Sequence, residues 1–389
     1  MIRFTTAGES HGPSLVAIVE GLPAGLAVTA ENVDRELARR MAGYGRGARM
    51  KIECDRVEWL SGIRAGETIA SPVAMRIVNR DWENWKDIMA PEPDPPGTER
   101  RRQVKRPRPG HADLAGALKY DRTDARDILE RASARETAAR VAVGALCKRL
   151  LAEFGVSIGS HVVELGGVGS TSPDPLPTPL DVAADASPVR CLDPVAEAAM
   201  IRAIDAAKSV GDTLSGVAEV VATGLVPGLG SHVSWDRKLD GRLAGHLMSI
   251  PAVKGVEIGL GFEAARRSGS AVHDPIVAGF ARRSNRAGGL EGGMTTGEPL
   301  VCRVAMKPIS TLMRPLETVH LESGAPAQAQ SERSDVTAVP AMGVVAEALV
   351  AVVLAQAFQE KFGGDTIREM RANRDAYVTT LTARGWARS

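Results

Sequence analysis

Two histidines sit in turns where glycine gives the backbone room. His11 lies in Gly8-Glu9-Ser10-His11-Gly12, and His111 follows Arg108-Pro109-Gly110. Imidazole changes charge near neutral pH, so either ring can carry a proton to or from a reacting group. Glycine on either side permits tight turns and close approach of backbone to a ligand. Cations gather nearby in sequence. Arg39, Arg40, Arg46, Arg49 and Lys51 occupy a stretch without a single acid, interleaved with Gly43, Gly45 and Gly47. Guanidinium groups grip phosphate or carboxylate bidentately, and a glycine-rich loop lets them fold over an anion. Ser133-Ala134-Arg135-Glu136 reads as a capping box at a helix start. Its remaining first-turn amides and positive dipole end, beside Arg108, Arg131 and Arg135, suit an anionic ligand.

Those patches belong to a nearly neutral chain of 389 residues with a formal charge of +1. Local cation density inside a neutral total points to a small anion rather than a polymer. Aromatic residues make up 4% of the chain, with Tyr44 alone near the first cluster. That is too few for a base-stacking surface, so no nucleic-acid partner is expected. Cys54, Cys147, Cys191 and Cys302 form no CxxC pair, which reads as reduced core thiols in a cytoplasmic protein with no metal site. The N-terminus lacks a signal-peptide apolar run. Residues 341–358 are long and apolar enough to resemble a membrane span, but Glu347 sits mid-run and glycines close it. A helix buried inside a soluble core is expected, with no membrane.

Around these residues the patterning alternates strands and helices. Residues 2–6 and 14–19 read as strands, 29–41 as an amphipathic helix capped by Thr29, and 51–79 as strands around a turn at 62–67. The Pro-rich stretch 81–104 reads as an extended loop, flexible over about 83–104 and pinned by Trp82 and Trp85. A helix follows over 134–154, a strand over 156–163, a surface loop over 166–190, and helices over 194–207 and about 238–248. The second half echoes the first. The run from Ser14 to Leu26 resembles that from Ser215 to Leu229, and Thr68-x-x-x-Pro72 with Arg76 matches Thr295-x-x-x-Pro299 with Arg303. Each half closes a long helix with Phe-Gly, at Phe154-Gly155 and Phe362-Gly363. A duplication relating about 1–155 to 210–363 within one domain spanning 1–389 is expected.

The chain resembles the chorismate synthases. The likeness rests on GESHG at 8–12, GYGRGARM at 43–50, RPGHAD at 108–113 and RASARETAARVAVGA at 131–145. It continues through SIPAVKGVEIG at 249–258, SNRAGGLEGGMTTGEPL at 284–300, MKPISTL at 306–312 and RSDVTAVPA at 333–341. The resemblance implies an α+β fold, a β-α-β sandwich with helices between antiparallel sheets, assembled as a homotetramer. It implies loss of phosphate and a ring proton from 5-enolpyruvylshikimate 3-phosphate to give chorismate, with reduced FMN as cofactor. NADPH would be a source of reductant, or a separate flavin reductase a partner.

By the same likeness His11 neutralises the departing phosphate and His111 protonates or polarises the flavin. Asp335, a carboxylate among basic groups, assists proton removal through flavin N5. FMN contacts carry over to Arg131, Ala132, Ser133, Pro251, Ala252, Gly292, Lys307, Pro308, Ile309, Ser310, Thr311 and Arg333. Arg40, Arg46, Arg49, Arg108 and Ser10 fall to substrate, with Arg40 and Arg46 also matching NADP positions. The sequence departs from many members at Thr337, where they carry cysteine. The stretch 86–102 and the tail 364–389 match no motif.

Overall fold

The computed structural model describes residues 1–47, 53–98, 100–331 and 335–386. In chain order the main elements are β1 (Arg3–Ala7), β2 (Ser14–Glu20), α1 (Ala30–Met41), β3 (Val57–Ser61), β4 (Val73–Val78), α2 (Asp113–Tyr120), α3 (Arg126–Ala132) and α4 (Thr137–Ala152). The second half supplies β5 (Ser157–Leu165), β6 (Val168–Gly169), α5 (Pro194–Ser209), β7 (Gly216–Thr223), α6 (Leu239–Met248), β8 (Val253–Ile258), β9 (Leu300–Met306), α7 (Val339–Phe362) and α8 (Ile367–Ala383).

The strands form two larger antiparallel sheets, ordered β1-β2-β4-β3 and β8-β9-β7-β5-β6. Alternation fixes which face is dry. Leu15, Ala17 and Val19 of β2 and Val73, Met75 and Ile77 of β4 are buried, as period-two spacing requires. The first sheet packs on α1 and α4, the second on α6 and α7, and α4 lies against α7. The α4–α7 approach is close because Gly144 lacks a side chain. A Cβ there would come 2.3 Å from the Ala348 Cβ. Phe154 and Phe358 stack beyond it, ring centres 4.4 Å apart.

Helix α7 is apolar on every side and 94% of its apolar window is buried, so it is a core helix. Its mid-helix carboxylate, Glu347, is fully buried. Arg39 donates to it at 2.7 and 2.9 Å, Lys148 at 2.8 Å, Ser160 at 2.6 Å and Arg190 at 3.0 Å. Glu36 and Asp185 complete the group of ion pairs. Burial opposes the Glu347 charge, yet Lys148, Arg39 and Arg190 hold its carboxyl well below the usual range.

Thr68 and Thr295 make matching bonds. The Thr68 carbonyl accepts from Gly25 N at 2.9 Å and that of Thr295 from Gly228 N at 2.8 Å. Each hydroxyl accepts from a leucine amide, Leu26 at 3.0 Å and Leu229 at 2.8 Å. Each also donates to a carbonyl, that of Pro23 or Val226.

Three local expectations change. The stretch 166–190 contains β6 and a short helix, Leu180–Asp185, because Leu180 and Ala184 are apolar and bury. Loop 81–104 opens with a 3-10 turn at Arg80–Asn84. The helix read as 134–154 starts as a 3-10 turn at Ala134–Glu136 and is α-helical only from Thr137.

Candidate active site

Ser133 sits at a break between α3 and that 3-10 turn, with extended backbone. Its hydroxyl accepts from Arg135 N at 3.3 Å and donates to Ser10 Oγ at 3.2 Å. The expected capping box does not form: the Glu136 amide donates to the Ser133 carbonyl at 3.3 Å and not to the hydroxyl. Glu136 binds Arg140, Oε1 to Nη2 at 2.8 Å, because an i,i+4 guanidinium on the same helix face outcompetes a single amide. The break aims the end of α3 at the 8–12 turn. Arg131 crosses the gap, donating to the carbonyls of Gly8 at 3.1 Å and Thr6 at 2.8 Å.

In that turn the His11 ring is held on two sides. Its Nδ1 lies 2.9 and 3.1 Å from the Glu130 carboxylate oxygens, and its backbone N–H donates to Glu130 at 2.8 Å. Trp85 stacks on the ring with centres 3.9 Å apart. Asn79 secures the turn by donating to the carbonyls of Glu9 and Gly12. Arg135 donates to Asn79 Oδ1 at 2.9 Å and pairs with buried Asp55.

His111 has a parallel arrangement. Its Nδ1 meets Asp113 Oδ1, and Arg108 grips the same carboxylate through Nε at 2.8 Å and Nη2 at 3.1 Å. Burial raises the Asp113 carboxyl, but His111 and Arg108 outweigh it and hold it well below the ordinary range. Arg108 Nη1 reaches Thr311 Oγ1 at 2.9 Å. Lys307 and Ser310 both donate to the Gly110 carbonyl, and Lys307 N donates to Ala252 O at 2.9 Å. Ala252, after Pro251, holds a left-handed φ of 69°.

Asp335 lies with Arg46, whose Nε is 3.0 Å from Oδ2, and it also accepts from Gly47 N. Backbone bonds tie these clusters together. Val336 O accepts from Leu214 N, Thr213 Oγ1 donates to Ile309 O, and Val336 N donates to Gly45 O. Arg46 donates to the Arg40 carbonyl and Arg40 to that of Ala134, next to Ser133, so the His11 turn is linked through Arg46 and Asp335 to the 307–311 loop and the His111 turn.

Two arginines read as substrate ligands have other work. Arg40 is buried and bonded to Thr137 Oγ1 and Ala134 O, both at 2.9 Å. Burial, only partly offset by Asp55, pushes it down to about 10. It braces the break at Ser133. Arg108 is a clamp on Asp113. Gly292 lies apart, near His232 and a loop that meets the start of α6. Arg49 and Arg333 lie outside the described residues.

Sequence reasoning missed Glu130 and Asp113. The i,i+4 spacing of Arg126 and Glu130 was a signal, as was an acid two residues after His111. Trp85 does pin its loop, and it does so on the His11 ring. Cavities of about 340 and 300 Å³ lie elsewhere, one around Asn32 and Lys148, the other around Phe280 and Trp386. Cys147, Cys191 and Cys302 are buried free thiols, and burial pushes Cys147 and Cys302 up to about 12. Among the described residues no group of three or more His, Cys, Asp or Glu could hold a metal ion.

Comparison with known proteins points to one family. The family model described as chorismate synthase matches residues 2–359. A chorismate synthase of Salinispora tropica is 58% identical, covering 99% of this chain and 100% of the relative. One from Thermobifida fusca is 56% identical with the same coverage. A crystal structure of a chorismate synthase superposes with a TM-score of 0.79 at 43% identity, covering 98% of each chain.

Proposed function

The chain belongs to the chorismate synthase family, and from that premise we propose how its own residues carry the reaction. The enzyme is a carbon–oxygen lyase acting on phosphate. It converts 5-enolpyruvylshikimate 3-phosphate to chorismate, the last step of the shikimate route to aromatic amino acids. The family is flavin-dependent. The observation that carries the residue-level reading is the pair of carboxylate-held imidazoles, His11 with Glu130 and His111 with Asp113, in one network.

Loss of phosphate builds negative charge on the leaving oxygen. An imidazole anchored through Nδ1 can offer a proton there, worth about 10²–10⁴ in rate. His11 takes this role. The ring proton must also leave, and Asp335, kept in place by Arg46 and Gly47, is the carboxylate near that path. Ser10, Arg46 and Arg49 complete the substrate side.

Reduced FMN fits the other residues. Arg131, Ser133, Lys307, Ser310 and Thr311 supply two cations and three hydroxyls, a donor set matched to a phosphorylated, carbonyl-rich ligand. Pro251, Ala252, Pro308, Ile309 and Arg333 would line it, with Ala132. Gly292 would join only from another copy or after movement. When bound, the reduced flavin lends electron density to the breaking carbon–oxygen bond. His111, fixed by Asp113, holds a proton beside it.

The sandwich belongs to the same proposal, supported by helices lying between the two sheets. So does the duplication within one domain spanning 1–389, supported by the matching Thr68 and Thr295 bonds. A homotetramer in the cytoplasm, supplied with reduced flavin by a separate reductase, completes the reading. An anaerobic assay with chemically reduced FMN and 5-enolpyruvylshikimate 3-phosphate tests it. Chorismate absorbance and phosphate should appear together, and phosphate released without reduced flavin would sink the reading.

A further inference from the structure

We propose that Glu130 is the positioning residue for His11: it fixes Nδ1 as the proton-bearing nitrogen and so leaves Nε2 to face the departing phosphate. The proposal rests on the reading of His11 as the group that meets that phosphate.

The geometry is unusually complete for a side chain on a turn. Glu130 is 2% exposed and binds both the His11 ring and its backbone amide. The Glu130 carbonyl also accepts from Ser10 N at 2.9 Å. The last turn of α3 and the 8–12 turn are therefore joined at three points, across 119 residues of sequence. With Trp85 covering one face, the ring cannot rotate without breaking the stack and the carboxylate bond. Whichever nitrogen is bound to a carboxylate carries a hydrogen, and the other one is set by that choice.

Charge works in the same direction. Burial disfavours the Glu130 carboxylate, but the His11 bond and Arg126 outweigh this, and it is held below its ordinary range. A carboxylate that stays ionised accepts from Nδ1–H and so favours that tautomer. Other charged groups face the same place. Arg126 donates to Glu130 Oε1 at 2.9 Å and lies over Trp85 with Arg102. Glu9 packs against Gly12, and Arg131 sits on the Gly8 carbonyl. Arg126 offsets part of the Glu130 charge, which makes it a control.

Glu130→Gln keeps the shape and removes the charge. In the FMN-loaded enzyme, kcat should fall roughly tenfold to a hundredfold while KM changes by less than about threefold. In ¹⁵N-histidine spectra at one fixed pH, the Nδ1–H share of the His11 ring should fall in favour of Nε2–H. Arg126→Met should raise that share, and it carries the test should Glu130→Gln fail to fold. With His11→Gln already present, Glu130→Gln should cost nothing further in kcat. Unchanged ring signals in both Glu130→Gln and Arg126→Met overturn the proposal, while a His11→Ala defect would leave the reading of His11 standing. Ring signals that shift with wild-type turnover in Glu130→Gln and His11→Ala alike would overturn that reading and leave only the pairing.

Discussion

Glu347→Ala isolates what the buried ion pairs contribute. Two buried cations, Arg39 and Arg190, and the partly buried Lys148 meet three acids, Glu36, Asp185 and Glu347, within ion-pair distance. Arg35 reaches Glu36 only from the solvent side. Removing Glu347 leaves three positive charges against two negative ones around a position with no exposure. Breaking such a pair from one side costs about 3–5 kcal/mol, because a buried charge loses its counter-charge. That is about a fifth or more of a typical stability of about 5–15 kcal/mol. With a urea slope of about 3 kcal/mol/M, the denaturation midpoint should drop by ~1–1.7 M. Adding Lys148→Met rebalances the site to two against two, so the double variant should be more stable than Glu347→Ala alone. A double variant whose loss is the sum of the two single losses would show that cavity formation, and not unbalanced charge, sets the cost.

Other outcomes follow from the same contacts. Asp113→Asn keeps the size of the His111 partner but removes its charge, and turnover should fall about 10²–10⁴-fold with the fold intact by circular dichroism. Wild-type turnover would remove His111 from the proton path. Acid should unfold the protein early in its titration. Glu36, Asp113, Glu130 and Glu347 all have carboxyls lowered in the folded state. Stability from a lowered carboxyl is fully present above the unfolded value near 4.5 and disappears as pH falls through the folded one. Urea midpoints should therefore decline steadily from about pH 5 downward; a flat profile to pH 3 would contradict the pairing. Gly144→Ala places a Cβ 2.3 Å from Ala348 and 2.8 Å from its carbonyl oxygen. Helices α4 and α7 must separate, at a cost of about 1–3 kcal/mol. A melting temperature equal to wild type would refute the close approach.

Periodicity gave most of the elements because burial follows it. The period-two runs at 14–20 and 73–78 became β2 and β4, and the apolar run after Thr337 became α7, with Glu347 marking it as a core helix. What one-dimensional reading could not supply was pairing. His11 and Glu130 are 119 residues apart, and nothing local announces their bond. Arg40 looked available because its neighbours are basic. Only the fold shows it inside, against Thr137. The box at Ser133 was real in composition, but Arg140 took the acid that should have closed it.

Pairing also changes the picture of a cationic cradle. Arg46, Arg108, Arg126 and Arg135 each meet a carboxylate, so their charge is largely matched where they stand. Arg131 and Lys307 do not: among the described residues their bonds run to hydroxyls and backbone carbonyls. One sits beside the His11 turn and the other beside the His111 turn. Burial and Lys254 lower Lys307, and an anion beside it would offset both. Unmatched positive charge among the described residues thus stands at two points flanking the two imidazoles, while Arg108 and Arg126 grip the carboxylates that hold those imidazoles.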